Sequence, residues 1–191
     1  IEGIEPEDFV ITFGAIAGGA SGIKGFDLLI EAVGIFSEFI GSLQKIKIIT
    51  FGGKQKKSDT MFGIKSIELG HISYENELAR IYSLSSVTIV PSRAESFGQV
   101  AAESLSCETP VIAFNYSGLT DIVKHKDNGY LAEPFKPHSL AEGMLWFYSL
   151  SDEEKVQVGK SGREHVLEVF SEEVIGGQLI SIYKELAYKN N

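Results

Sequence analysis

Within the stretch AESFGQVAAES, residues 94–104, two carboxylates stand eight positions apart: Glu95 just ahead of Ser96-Phe97-Gly98, and Glu103 inside the run that follows. An ionised carboxylate only accepts hydrogen bonds, so it suits the neighbouring hydroxyls of a sugar or a ribose. Gly98 allows a ligand close to the backbone, and the first amides of a helix opening at Gln99 lack partners inside that helix. Those amides, with the positive end of the helix dipole, make a seat for a diphosphate. Glu95 and Glu103 then become two hydroxyl clamps on either side of a pyrophosphate. Taken alone, the pair reads more simply as a loop charge and a solvated helix residue.

A second cluster could hold the same anion. The glycine-rich loop GAIAGGASGIKG, residues 14–25, opens at Gly14 and carries Lys24 near its end. Such a loop brings backbone N–H groups to an anion, and the lysine adds a point charge for a phosphate. It is not a Walker A loop, because Ile23 separates Gly22 from Lys24 and no Ser or Thr follows. The glycine spacing is also wrong for a dinucleotide fingerprint, and no acidic residue clearly ends the second strand. On its own, the loop reads equally well as a surface loop with a solvated lysine.

The elements that would position these residues follow from hydrophobic patterning. Short β-branched and aromatic runs at 8–15, 45–53, 64–72, 86–92, 110–115 and 128–134 predict six strands, with KQKKSDT between the second and third as a solvated turn. Helical spacing predicts helices at 26–40, 74–85, 97–108, a short LTDIV turn, and three more at about 138–150, 152–169 and 171–188. Ser151 with Glu154, and Ser171 with two glutamates behind it, read as N-caps, while Gly176 and Gly177 weaken or kink the last helix. Strand alternating with helix implies right-handed βαβ units. The fold class is α/β, a Rossmann-like doubly wound parallel sheet of about six strands with helices on both faces and a helical C-terminus. In such sheets ligands sit beyond the carboxyl ends of the strands, which is where both clusters fall.

Composition narrows the function. The 191 residues are 43% hydrophobic and 23% charged, with a net charge of −9. That balance builds a globular core and argues against nucleic acid as a partner. A single cysteine, Cys107, excludes an internal disulfide, fits a cytosolic setting and reads as a buried helix-end residue. The opening residues IEGIEPEDFVITFG lack the basic-then-apolar signature of a signal peptide, and no apolar run approaches the ~20 residues that span a bilayer. Asp-x-Asp pairs are absent. His71, His125, His138 and His165 are scattered, so no metal site is expected.

Several segments fall in an order that resembles a known family. VPSRAESFGQVAAESLSCETPVIAF, followed by GLTDIV and NGYL, is similar to the C-terminal half of GT-B glycosyltransferases, specifically the large retaining group 1 family (GT4) built around E(x7)E. FGA…KGFDLLIEA resembles that family's first βα unit, and NGYLAEPFKPHSLAEGMLWFY its closing strand and helix. The resemblance runs from about Phe9 to Phe147. It implies that Glu95 contacts the donor sugar's hydroxyls and that Ser96, Phe97, Gly98 and Gln99 form the segment whose amides meet sugar and diphosphate. It further implies that Glu103 holds the ribose, that Lys24 neutralises the diphosphate beside Gly14, and that Gly70, His71 and Ile72 line the base. Two positions depart from the pattern: Ala15 stands where the family has a phosphate-binding arginine, and Glu108 stands where glycine is common. Lys54 and Arg93 are the other cations that could supply the missing charge.

For the whole protein, the resemblance implies retaining hexosyl transfer from a nucleotide-diphosphate sugar to a glycan or lipid-linked acceptor, in cell-surface polysaccharide assembly. No cofactor and no metal is implied. Residues 1–191 then form one donor-binding domain, with 1–7 a linker remnant and the N-terminal acceptor domain not included. Lys24 and Glu95 carry the catalytic roles. The expected location is cytoplasmic, with room for peripheral contact at the inner face of the membrane. A non-catalytic nucleotide-binding module is the competing reading, and a dinucleotide-dependent oxidoreductase fits the loop poorly.

Overall fold

Runs rich in Ile, Val and Phe become buried strands because helices cover both faces of the sheet. The computed structural model of the chain describes residues 1–14 and 22–189. Strand β1 (Phe9–Gly14) is buried along its whole length and lies between two parallel neighbours, β2 (Ile46–Phe51) and β5 (Val87–Val90). Outward from β2 come β4 (Ile64–Leu69) and β3 (Lys56–Met61), and outward from β5 come β6 (Val111–Phe114) and β7 (Gly129–Ala132). Among the described residues the sheet has seven strands in the order β3-β4-β2-β1-β5-β6-β7. The chain leaves β1 toward one edge and later returns to β5 on the other side of it. The carboxyl ends of β1 and β5 therefore flank a topological switch point, the position where doubly wound sheets hold ligands.

The six expected strands form, each somewhat shorter than the apolar run that predicts it. The seventh corrects the reading of KQKKSDT as a solvated turn. Residues Lys56–Met61 pair antiparallel with β4, placing Lys57 opposite Glu68 and Thr60 opposite Lys65. Its side chains are exposed except for Met61, which is partly covered. With its side chains largely in solvent, the strand carries no alternating apolar pattern to read. A charged edge of this kind also resists pairing with another chain.

Alternation in β1 sends Phe9, Ile11 and Phe13 to one face and Val10 to the other. The first face packs against α1 (Phe26–Phe39) and α5 (Pro137–Ser149), through Leu29, Val33, Phe36, Leu140, Met144 and Phe147. The other face packs against α2 (Glu75–Leu84) and α3 (Gln99–Ser106), through Ile81, Tyr82, Ala101 and Leu105. A single turn, α4 (Leu119–Ile122), adds two fully buried side chains to the α3 cluster.

The C-terminal helices α6 (Asp152–Phe170) and α7 (Glu172–Lys189) form where expected. Ser151 and Glu154 make the reciprocal capping box, and the Ser171 hydroxyl accepts from the Val174 amide at 3.4 Å. α7 runs as one helix through Gly176 and Gly177, where a Cβ would meet nothing within 4 Å among the described residues. Glu108, just past the end of α3, has φ 59. That left-handed backbone is the one a helix-ending glycine adopts without strain, which accounts for glycine being common at this position.

Candidate functional site

The two crossings at the switch point touch each other closely. Gly25, with φ +67, caps the start of α1, and a Cβ there would lie 1.9 Å from the carbonyl oxygen of Pro91. Only glycine fits both the positive φ and the approach. This packing brings Lys24 of the first crossing to Glu95 of the second: Lys24 Nζ donates to Glu95 Oε1 at 2.5 Å, with the side chains 32% and 13% exposed. The buried Ser92 donates to the same oxygen at 2.8 Å.

The backbone of Glu95 is pinned as well. Its amide donates to the Ser117 hydroxyl at 3.1 Å, and its carbonyl accepts from the Gly118 amide at 3.1 Å. Phe97 packs edge-on against Phe170 of α6, with centroids 5.2 Å apart. Gly98 has φ +107, and a Cβ there would press on Leu119 at 2.9 Å, so the turn that opens α3 requires glycine. Among the described residues no side chain caps α3, whose first backbone bonds within the helix are those of Ala101 and Ala102 to the Gly98 carbonyl. The amides just before them are thus left for a ligand. Gly14, Lys24, Glu95, Ser96, Phe97, Gly98, Gln99 and Val100 line one cleft of about 310 Å³. Seven of the residues singled out from the sequence are brought together there.

Glu103 is not among the residues that line that cleft. It sits one turn beyond Gln99 on α3 and accepts from the Tyr82 hydroxyl of α2 at 3.0 Å. Burial pushes its carboxyl above the usual range despite that bond, and the nearby Glu75 adds to the rise. Burial and the Glu103 charge likewise push the Tyr82 hydroxyl far up. A raised carboxyl stabilises the fold in its protonated form, fully below the ordinary value of 4.5 and progressively less as pH climbs through the folded value. Glu103→Gln keeps an acceptor for Tyr82 and removes the charge. It should therefore raise Tm at pH 7.5 by on the order of 1–3 °C, with the gain shrinking toward pH 4. Melting curves at the two pH values check this, and a lower Tm at pH 7.5 would contradict it.

Gly70, His71 and Ile72 also lie away from the cleft. Gly70 accepts from the Gly52 amide at 2.7 Å, His71 is exposed, and Ile72 lines a separate groove with Leu69, Ile81 and Leu84. Glu68, which the sequence reading passes over, organises this corner. Its carboxylate accepts from the Thr50 hydroxyl at 2.7 Å, from the Gly70 amide at 3.1 Å and from the Gly53 amide at 3.3 Å, tying the ends of β2 and β4 together. The only signal was an acidic residue at the end of a buried run, which marks many strand ends equally.

Ala15 and the glycines up to Gly19 lie outside the described residues. Arg93, one of the two cations weighed as a substitute for the missing arginine, forms a bidentate pair with Asp27 at 2.8 and 2.6 Å. That pair holds the Asp27 carboxyl below the usual range. Among the described residues no His, Cys, Asp and Glu side chains group as a metal site would need, and no helix is long and apolar enough to cross a membrane. Cys107 ends α3 half-buried, and burial pushes its thiol up, away from the thiolate a nucleophile needs.

Residues 10–165 match the family model described as glycosyl transferases group 1. An uncharacterized glycosyltransferase of Methanocaldococcus jannaschii is 34% identical over 179 residues, covering 92% of this chain and 48% of that protein. The sucrose-phosphate synthase of Thermosynechococcus elongatus superposes with a TM-score of 0.80 at 26% identity, over 97% of this chain and 47% of the synthase. HepE of Anabaena, solved in complex with UDP and glucose, shares the fold at a TM-score of 0.73 and 20% identity, over 93% of this chain and 48% of its own. The chain thus spans about half the length of these proteins.

Proposed function

The chain belongs to the glycosyl transferases group 1 family, and from that premise we propose that the cleft holds the diphosphate and sugar of a nucleotide-activated donor for retaining transfer to a glycan or lipid-linked acceptor. One observation carries this reading: two crossings distant in sequence place a cation and a carboxylate 2.5 Å apart, in one cleft with the uncapped start of α3. In transfer, the bond from the sugar C1 to the diphosphate oxygen breaks, negative charge grows on the leaving phosphates, C1 bonds to an acceptor hydroxyl oxygen, and the hydroxyl proton passes to the departing diphosphate. Lys24 and the amides around Gly98 and Gln99 receive that charge as fixed donors, which need no rearrangement during the reaction. Glu95 turns from Lys24 to the sugar hydroxyls and orients the ring, contributing proximity rather than proton transfer. Glu103 serves the ribose, and Gly70, His71 and Ile72 border the base. No metal is required, because the lysine and the amides supply the positive charge.

The relatives' greater length agrees with an acceptor-binding domain preceding this one in the whole protein. This chain alone would then bind donor without transferring it. Surface polysaccharide assembly on the cytoplasmic side of the membrane is the setting that fits a glycan or lipid-linked acceptor. UDP, GDP or ADP at about 100 times its Kd should stabilise the fold by about 2.7 kcal/mol, a Tm gain of roughly 5–10 °C, while NAD should have no effect. A differential scan with the four ligands decides between them. No response to any of the three diphosphates, or a response to NAD, would overturn the reading. Binding without turnover by a full-length protein would make it a non-catalytic module.

A further inference from the structure

Among the described residues, every hydrogen bond of Arg93 runs to the segment that carries Lys24. Its backbone amide donates to the Ile23 carbonyl at 2.7 Å, and its Nη1 donates to the Gly22 carbonyl at 2.6 Å. Nη1 also reaches Asp27 Oδ1 at 2.8 Å, and Nη2 reaches Asp27 Oδ2 at 2.6 Å. These partners lie on both sides of Lys24. Arg93 itself directly follows Ser92 and stands two residues before Glu95. One side chain therefore fastens the lysine's segment to the loop that carries its carboxylate partner and that partner's hydroxyl donor. The contact suits a guanidinium, whose planar fork can grip a carboxylate with two parallel bonds and still reach a carbonyl. A lysine ammonium has no such fork.

We propose that Arg93, through Asp27 and the Gly22 carbonyl, is a positioning residue that sets Lys24 against Glu95 in the donor site. This rests on the donor-binding reading above. Arg93 is not a phosphate ligand here. Its guanidinium is occupied by Asp27, and the cleft is lined by Lys24 without it. Nor does it serve mainly to hold the fold together. The Arg93 and Asp27 side chains are 37% and 62% exposed, and pairs so open to water add little stability. The loss of the contact should appear in the placement of Lys24, where a displacement of about 1 Å costs up to about 100-fold in function.

The test compares Arg93→Ala, Arg93→Lys, Asp27→Asn and the Arg93→Ala/Asp27→Asn double variant. For each, Tm is measured, and calorimetry gives Kd for whichever of UDP, GDP and ADP binds the unaltered chain. Positioning predicts a Tm within about 3 °C of the parent and a Kd raised about tenfold or more in Arg93→Ala. It also predicts no rescue by Arg93→Lys, a weaker loss of the same sign in Asp27→Asn, and a double variant no worse than Arg93→Ala, because both residues act through one contact. A direct phosphate contact predicts the reverse for two variants: Arg93→Lys retains affinity, and Asp27→Asn, by freeing the guanidinium, leaves affinity unchanged or improves it. Either of those results overturns the proposal, as does an unchanged Kd in Arg93→Ala or a large fall in its Tm. If none of the three nucleotides binds the parent chain, the donor-site reading fails first and the proposal falls with it.

Discussion

Lys24→Ala should abolish measurable glycosyl transfer by a protein that carries this domain, a loss of at least about 100- to 1000-fold, the scale seen when one preorganised charge donor is removed. Lys24 is the cation that the structure places in the cleft beside the start of α3. In the proposed donor site its removal deletes the point charge offered to the leaving diphosphate, so affinity for the bare nucleoside diphosphate should fall together with turnover. Glu95→Ala should stop turnover to a similar degree by another route. In the proposed donor site the carboxylate grips the sugar, and beside a diphosphate it would also be a like charge. Affinity for the nucleoside diphosphate should therefore hold or improve, while the extra affinity gained from the attached sugar disappears. Paired titrations with a nucleotide and its nucleotide sugar, alongside initial rates, separate the two variants. Normal rates in both would remove the chemical assignment.

Gly25→Val is the substitution with the largest expected effect on the fold near the site. A valine there meets two obstacles at once: a backbone at φ +67, which a β-branched residue scarcely adopts, and a Cβ 1.9 Å from the Pro91 carbonyl oxygen. Strain of this kind costs about 3 kcal/mol or more. Relief requires the α1 start to move off the loop after β5, which separates Lys24 from Glu95. Urea denaturation should show the lost stability, and nucleotide binding should be lost even where the variant remains folded. Gly176→Ala is the matched control. Nothing lies within 4 Å of that Cβ position in α7, so alanine should stabilise the helix by about 0.5–1 kcal/mol. A Gly25→Val protein as stable as its parent would show that the two crossings are not locked together as described.

What the sequence disclosed and what it withheld have physical causes. Strands buried on both faces are continuous apolar runs, so β1, β2 and β5 stand out along the chain. The capping box at Ser151 is visible because it uses residues three apart. β3 was hidden because an uncovered edge strand is selected for polarity on both faces and shows no period. The cluster around Glu95 was legible through its glycine and its helix start, both local signals.

The partners that hold Glu95 are not local. Lys24 is 71 residues away in sequence, and Ser117 is 22 residues away. Arg93 looked like a spare cation from the sequence. Only the approach of α1 to the loop after β5 shows that Asp27 already occupies it. Glu103 has the right spacing from Glu95, but a helix turns through the intervening residues. Its carboxylate meets Tyr82, while the cleft around Glu95 closes over Gln99 and Val100. Spacing in sequence thus placed both glutamates on one segment without settling whether they share a wall.

The most direct test of the central claim is a crystal structure of this chain with the nucleotide sugar that most raises its Tm. The sugar-bearing phosphate should lie within hydrogen-bonding distance of Lys24 Nζ and of the amides at Gly98 and Gln99, with sugar hydroxyls on Glu95 in place of Lys24. A nucleotide sugar seated elsewhere, or a diphosphate in this cleft with the Lys24–Glu95 pair intact and the sugar turned away from Glu95, would contradict it.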